Sequence, residues 1–222
     1  MAENEVQRLD GGDSMPDCEI AGALVEISES CRILGALFYH PPAHPSVKPV
    51  LDVIEAEGLT SVWRLPANAR GEEAIARMAQ GLRSDSGRES VGMEFQRLFI
   101  GPDPLDAPPW GSVYLEEEGL LFGDSTRSLH DFLAKEGIAL NTGQEEPGDH
   151  IGLMFWALAL LAEESRIDAL AFLLEEYFLT WADIYLARLA AATEHPFYQG
   201  LAQLAAVTLN SIKGAVIQCS NG

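Results

Sequence analysis

The sequence predicts an all-α protein: a single globular helical domain interrupted by a long loop rich in proline and aromatic residues. Three observations predict it. Apolar residues recur at three- and four-residue steps over most of the chain. No run alternates as a half-buried strand would, and the only Asp-Gly pair, Asp10-Gly11, lies outside any β-branched stretch. Glycine or proline stands where most of the helical runs stop.

Residues 1–17 are rich in Glu, Asp, Gly and Ser without apolar periodicity, and read as an acidic N-terminal tail ahead of a helical domain over 18–222. From Glu19 the pattern changes. Ile20, Leu24, Ile27, Cys31, Leu34 and Phe38 mark one helical face, which Pro41-Pro42 ends. Within it, Gly35 and Ala36 allow another helix or a peptide to approach closely. Shorter helices are expected at Val47 to Ile54, at Glu72 to Leu82, and at Glu89 to Phe99 before Gly101-Pro102. From Gly101 to Gly123 the chain carries four prolines with Trp110, Tyr114 and Phe122, a long loop that is not polar. Asp124 is an expected N-cap for a helix closed by Gly137. After a second loop, Pro147 is expected to open a helix with Ile151, Phe155, Leu158 and Leu161 facing inward, followed by helices at Ile167 to Thr193 and Pro196 to Val216.

The charge excludes some functions. With 34 acidic and 14 basic residues, a formal charge of -20, the chain repels phosphate backbones, so no nucleic-acid partner is expected. The same charge draws in a cationic peptide, though it also serves plain solubility. Cys18, Cys31 and Cys219 form no CxxC pair and suggest no disulfide framework. The first residues lack the basic start and apolar stretch of an export signal, so a cytoplasmic location is expected. The uncharged stretch Ile151 to Ala162 falls short of the roughly 18 apolar residues of a membrane span, so no integral membrane segment is expected.

Two constellations could carry function. In Pro108 to Tyr114, Pro109 stiffens the backbone, Gly111 permits close approach next to Ser112, and Trp110 and Tyr114 offer flat amphipathic surfaces. Such a segment suits recognition, or it plugs the loop onto the core. In Glu146 to His150, carboxylates and an imidazole stand at a helix mouth. They could simply cap the helix. Asp149 could also hold the His150 tautomer or accept from an arginine, and His150 could change charge near neutral pH. His40 and His44 cannot share a helix face across Pro41-Pro42, so no metal site is expected. There is no GxGxxG after a strand, no GxxxxGK[ST] and no GxSxG, hence no expected cofactor or catalytic residue.

Taken together, Arg32 to Tyr39 (RILGALFY), Glu94 to Phe99 (EFQRLF), Ala107 to Tyr114, Phe122 to Thr126 and Glu146 to His150 resemble the TorD/DmsD family of redox-enzyme maturation chaperones. APPWGSVYL followed by EPGDH resembles its DmsD branch. The resemblance implies a helical, non-enzymatic cytoplasmic chaperone that binds the twin-arginine signal peptide, and the body, of a molybdopterin-containing reductase until its cofactor is inserted. The reductase would be of the dimethyl sulfoxide or trimethylamine N-oxide type, with the twin-arginine translocase at the inner membrane as a further partner. By the same resemblance Pro109, Trp110, Gly111, Ser112, Tyr114, Asp149 and His150 map to the leader-binding region, joined by Arg32 and Tyr39. The competing classes are a nucleotide-binding or nucleotide-hydrolysing enzyme using Asp149 and His150 as an acid/base pair, and a structural subunit of a reductase complex.

Overall fold

The structure, a computed structural model, describes residues 17–56, 63, 65, 68–84, 86–116, 123–140 and 147–220. The acidic segment expected to be a tail lies outside them except for Asp17, as do Phe122, Glu146 and most of the second loop.

Among the described residues there are ten α-helices and no strand. They are α1 (Asp17–Tyr39), α2 (Lys48–Ala56), α3 (Ala69–Leu82), α4 (Gly87–Phe95), α5 (Ser112–Leu115), α6 (Asp124–Lys135), α7 (Ile151–Glu163), α8 (Ile167–Phe172), α9 (Ala182–Ala191) and α10 (Pro196–Ser220). Two pairs form the frame: α1 packs on α7, and α10 packs on α3. The second pair closes onto the first because α10 also meets α9, α8 and α1.

The α1–α7 pair approaches to backbone contact. A Cβ on Gly152 would lie 2.8 Å from the Tyr39 Cβ and 2.9 Å from the Gly35 carbonyl, and one on Gly35 would enter the Trp156 ring. The space that Gly35 opens is therefore filled by a helix of the chain itself. Below the crossing an aromatic core joins three helices. Phe38 stacks on Phe155 at 5.9 Å, Phe155 meets Phe178 edge-on at 5.0 Å, and Phe178 meets Trp181 at 5.7 Å.

Several expected boundaries shift, each for a local reason. The helix expected from Ile167 to Thr193 is divided. A π-helical turn over Leu173–Phe178 passes the Leu179 N–H back to the Leu174 carbonyl at 2.8 Å, and Trp181 then starts α9 with φ -136°. The break is invisible to periodicity because Leu170, Leu173, Leu174, Phe178, Trp181, Tyr185 and Leu189 stay buried through it. The helix expected over Glu89 to Phe99 likewise ends as a π turn, Gln96–Ile100. There Arg97 pairs with Glu94 and donates to the Ala192 carbonyl at 2.7 Å, so the EFQRLF motif ties α4 to the end of α9. The long loop contains the short helix α5. Gly123, not Asp124, is the N-cap of α6, and the Glu116 carboxylate supplies the missing acceptor to the Ser125 N–H at 2.9 Å and hydroxyl at 2.8 Å. Pro147 does not open α7, which begins at Ile151; it begins a turn in which the His150 N–H meets the Pro147 carbonyl at 3.3 Å. Finally, Pro196 to Gln218 in α10, longer than the apolar stretch noted from sequence, is long and apolar enough to cross a membrane by length and composition; half of it is buried against the other helices.

The crossing makes opposite demands on two glycines of α1. Gly35→Ala is expected to lower stability in urea unfolding by about 1–3 kcal/mol through overpacking. Gly22→Ala, where an added Cβ meets nothing within 4 Å, is expected to be neutral or to gain up to about 1 kcal/mol from helix propensity.

Candidate functional site

The two motifs singled out in the sequence are bonded to each other. Residues 109–111 run antiparallel to 149–151, with Trp110 opposite His150. The Gly111 N–H donates to the Asp149 carbonyl at 3.1 Å, and the Ile151 N–H donates to the Pro109 carbonyl at 2.8 Å. A third bond crosses the same gap, from the Ser112 N–H to the Asp149 carboxylate at 2.5 Å. Thr126 Oγ1 of α6 donates to the same carboxylate oxygen at 3.4 Å. One acidic side chain thus gathers the loop, the first residue of α5, the mouth of α7 and α6. A carboxylate accepting backbone N–H groups makes charge-assisted bonds, stronger than neutral ones.

Pro109, Gly111, Ser112, Asp149 and His150 are buried at this junction, while Tyr39, Trp110 and Tyr114 are half-buried and Arg32 is exposed. Gly111 lies against the Trp181 indole, where a Cβ would come within 2.6 Å of Nε1. Tyr114 stacks on Trp181 at 6.0 Å and donates to the Pro108 carbonyl at 2.9 Å. Tyr114 therefore plugs the loop onto the core, whereas Trp110 faces outward over His150 at 5.9 Å.

His150 caps α7 itself: its Nδ1 accepts from the Gly152 N–H at 3.0 Å. This bond, not Asp149, holds the tautomer, with Nδ1 unprotonated. Burial pushes the imidazole down to about 3, so the expected change of charge near neutral pH does not occur in the folded chain. With Asp149 bonded to Ser112 and Thr126, and His150 bonded to Gly152, the two do not form an acid/base pair.

From this junction an aromatic seam runs along the outer edge of α1 and α7. Tyr39 meets His150 at 5.1 Å and Trp156 at 5.1 Å, and Trp156 donates from Nε1 to the Arg32 carbonyl at 3.3 Å. Further along, Arg32 pairs with Glu163 through both nitrogens, Nε to Oε1 at 2.7 Å and a second, shorter contact to Oε2. That pair raises the Arg32 pKa and lowers that of Glu163, chiefly through their hydrogen bonds. Beside the junction, Leu129, Leu133, Ile138, Leu140 and Gly148, with Arg127 and His130, line a largely apolar concavity of about 360 Å³.

The sequence reading missed Trp156, Glu163 and Glu116. A signal for Trp156 existed: it stands off the inward stripe of an otherwise apolar helix, where a large aromatic has no core to fill. Glu163 and Glu116 carried none, being two carboxylates among many. Three buried polar atoms at the junction lack a hydrogen-bond partner among the described residues: Trp110 Nε1, Ser112 Oγ and the second Asp149 oxygen, Oδ1. Among the described residues no group of three or more His, Cys, Asp or Glu is placed to hold a metal ion.

Known proteins share this architecture and sequence. The family described as nitrate reductase delta subunit matches residues 66–187, a span holding both bonded motifs. The chain is 40% identical over 187 residues to the Haemophilus influenzae protein named "Probable Tat proofreading chaperone DmsD", covering 84% of this chain and 89% of that one. It is 38% identical over 184 residues to the "Tat proofreading chaperone DmsD" of Salmonella typhi, covering 83% and 87%. It is 30% identical over 182 residues to the "Chaperone protein YcdY" of Escherichia coli, covering 81% and 89%. A crystal structure from Archaeoglobus fulgidus, assigned to redox enzyme maturation, shares the fold with a TM-score of 0.52 at 21% identity, covering 80% of this chain and 91% of that one. The chain belongs to the TorD/DmsD family of redox-enzyme maturation chaperones. It is a chaperone and not an enzyme, and the nucleotide-hydrolase alternative is unsupported.

The buried imidazole makes stability depend on pH. The folded chain keeps His150 neutral to about 3, whereas the unfolded chain takes up a proton below about 6.5. Its contribution is therefore complete above about pH 6.5 and is lost as the pH falls toward 3, by up to about 1.4 kcal/mol per unit. His150→Asn keeps a capping oxygen and removes the titration. Its unfolding free energy should fall less steeply than that of the native chain between about pH 6 and 4; an unchanged slope would contradict the assignment.

Proposed function

We propose that this chaperone binds the twin-arginine leader of a molybdopterin-containing reductase precursor in the cytoplasm, holding it from the translocase until the cofactor is in place. The reading rests on family membership and on one observation above all: the three unpartnered polar atoms, Trp110 Nε1, Ser112 Oγ and Asp149 Oδ1, gathered where the two motifs meet. A buried polar group without a partner costs about 1–3 kcal/mol, and a ligand that supplies the partner recovers it. Asp149 Oδ1 lacks a donor and Trp110 Nε1 lacks an acceptor; a peptide carries both, and reaches these buried atoms when the half-buried Trp110 shifts.

The surroundings suit a leader, which presents two arginines followed by an apolar stretch. Half-buried Trp110 and Tyr39 border the junction, and a largely apolar concavity lies beside Gly148. In this arrangement Pro109, Gly111, Ser112, Tyr114 and His150 shape the site, Asp149 holds the loop and offers its second oxygen, and Trp110, Tyr39 and Arg32 present side chains to the peptide. Exposed ion pairs contribute only about 0–1 kcal/mol each. Burying several hundred Å² of apolar leader at roughly 25 cal/mol per Å² yields several kcal/mol before ordering costs. The apolar stretch therefore supplies most of the affinity, and the charge of -20 supplies orientation and encounter rate.

Titration of a fluorescent leader peptide tests this. Trp110→Ala should weaken binding roughly tenfold or more, and polar replacements in the apolar stretch should weaken it more than replacing both arginines by lysine. Loss of all binding with lysines, together with indifference to the polar replacements, would overturn the apportioning. A native chain that bound no leader would overturn the function.

A further inference from the structure

One cluster on the aromatic seam is explained neither by the core nor by the junction. His40 and His44 lie face to face, with ring centroids 3.7 Å apart and planes 8° from parallel. A tight turn brings them together across Pro41-Pro42: the His44 N–H donates to the Pro41 carbonyl at 2.9 Å. His40 then meets Tyr39 at 5.0 Å and Trp156 at 5.5 Å, so four half-buried rings form one patch at the end of α1.

His44 Nδ1 accepts from the Ser46 N–H at 3.3 Å and lies 2.6 Å from the Ser46 hydroxyl, which fixes that nitrogen as an acceptor. Burial, and then the neighbouring His44, push the His40 pKa down. Among the described residues no third ligand stands with them to hold a metal ion. What the patch offers is stacked aromatic rings on a chain of formal charge -20, a setting that favours a flat, weakly hydrated cation.

We propose that the stacked His40–His44 pair, with Tyr39 and Trp156, is a platform on which a guanidinium of the bound leader lies flat, so that this patch reads arginine in preference to lysine. The inference rests on the leader-binding reading and adds His40, His44 and Trp156 to the site. A guanidinium is planar and stacks on ring faces, whereas an ammonium is a compact, strongly hydrated point charge that gains less there. The platform joins the junction through Tyr39, which touches both His40 and His150.

Fluorescence anisotropy with two labelled peptides decides the matter, one carrying adjacent arginines before an apolar stretch and one carrying lysines in their place. The native full chain is expected to bind the arginine peptide roughly tenfold more tightly. His40→Ser combined with His44→Ser should bring that ratio close to one, chiefly by weakening the arginine peptide. His40→Phe combined with His44→Phe should restore the preference, because it keeps the ring faces. A preference that survives in the serine pair, or a native ratio near one, would overturn the platform while leaving leader binding intact. A native chain that binds neither peptide would overturn the leader-binding reading itself, and the platform with it.

Discussion

The rest of the site depends on a short antiparallel bridge between residues 109–111 and 149–151. Two backbone bonds and the Asp149 carboxylate join a proline-stiffened loop to the mouth of α7. Without them the buried Gly111 and Ser112 N–H groups at the start of α5 would lose their acceptors on the mouth of α7. With them, Trp110 is turned outward over His150 while Tyr114 is turned inward onto Trp181. The same bond set explains why α7 begins at Ile151: His150 is held extended, with ψ 131°, by its place opposite Trp110, and its ring turns back to cap the helix.

The bridge is placed by the crossing of α1 and α7. Because Gly35 and Gly152 let the two backbones touch, the C-terminal end of α1 reaches the first turn of α7, and Tyr39 meets His150. The side chains too large for the crossing are displaced to its outer edge. Trp156 lies over Gly35, and beyond it Arg32 meets Glu163. The aromatic seam is thus a consequence of close helix packing. The centre, by contrast, is core, where Phe38, Phe155 and Phe178 are fully buried.

How much of this was legible in the sequence follows from where the controlling interactions lie. The all-α class and most helix positions were, because burial imposes its own period and the prolines and glycines sit at the ends. The family was legible as well, since its motifs are contiguous. The break at Leu179–Trp181 was not, because a π turn adds a residue without disturbing which side chains are buried. Caps were misplaced where the capping group is remote: Glu116 serves α6 from outside the helix. The Asp149–His150 pair invited a local reading, as neighbours that polarise each other. In the fold each answers to a different partner, one across 37 residues of chain and one on its own helix. Likewise, the prolines that deny His40 and His44 a helix face build the turn that stacks them.

Bonded across the gap, the loop and the helix mouth open together as one unit, and native-state amide exchange reads this directly at Gly111, Ser112 and Ile151, whose N–H groups make the three bonds. Slow exchange is expected at all three, with one common opening free energy. Exchange of Gly111 and Ser112 at the rate of an open loop, with Ile151 still protected, would contradict it.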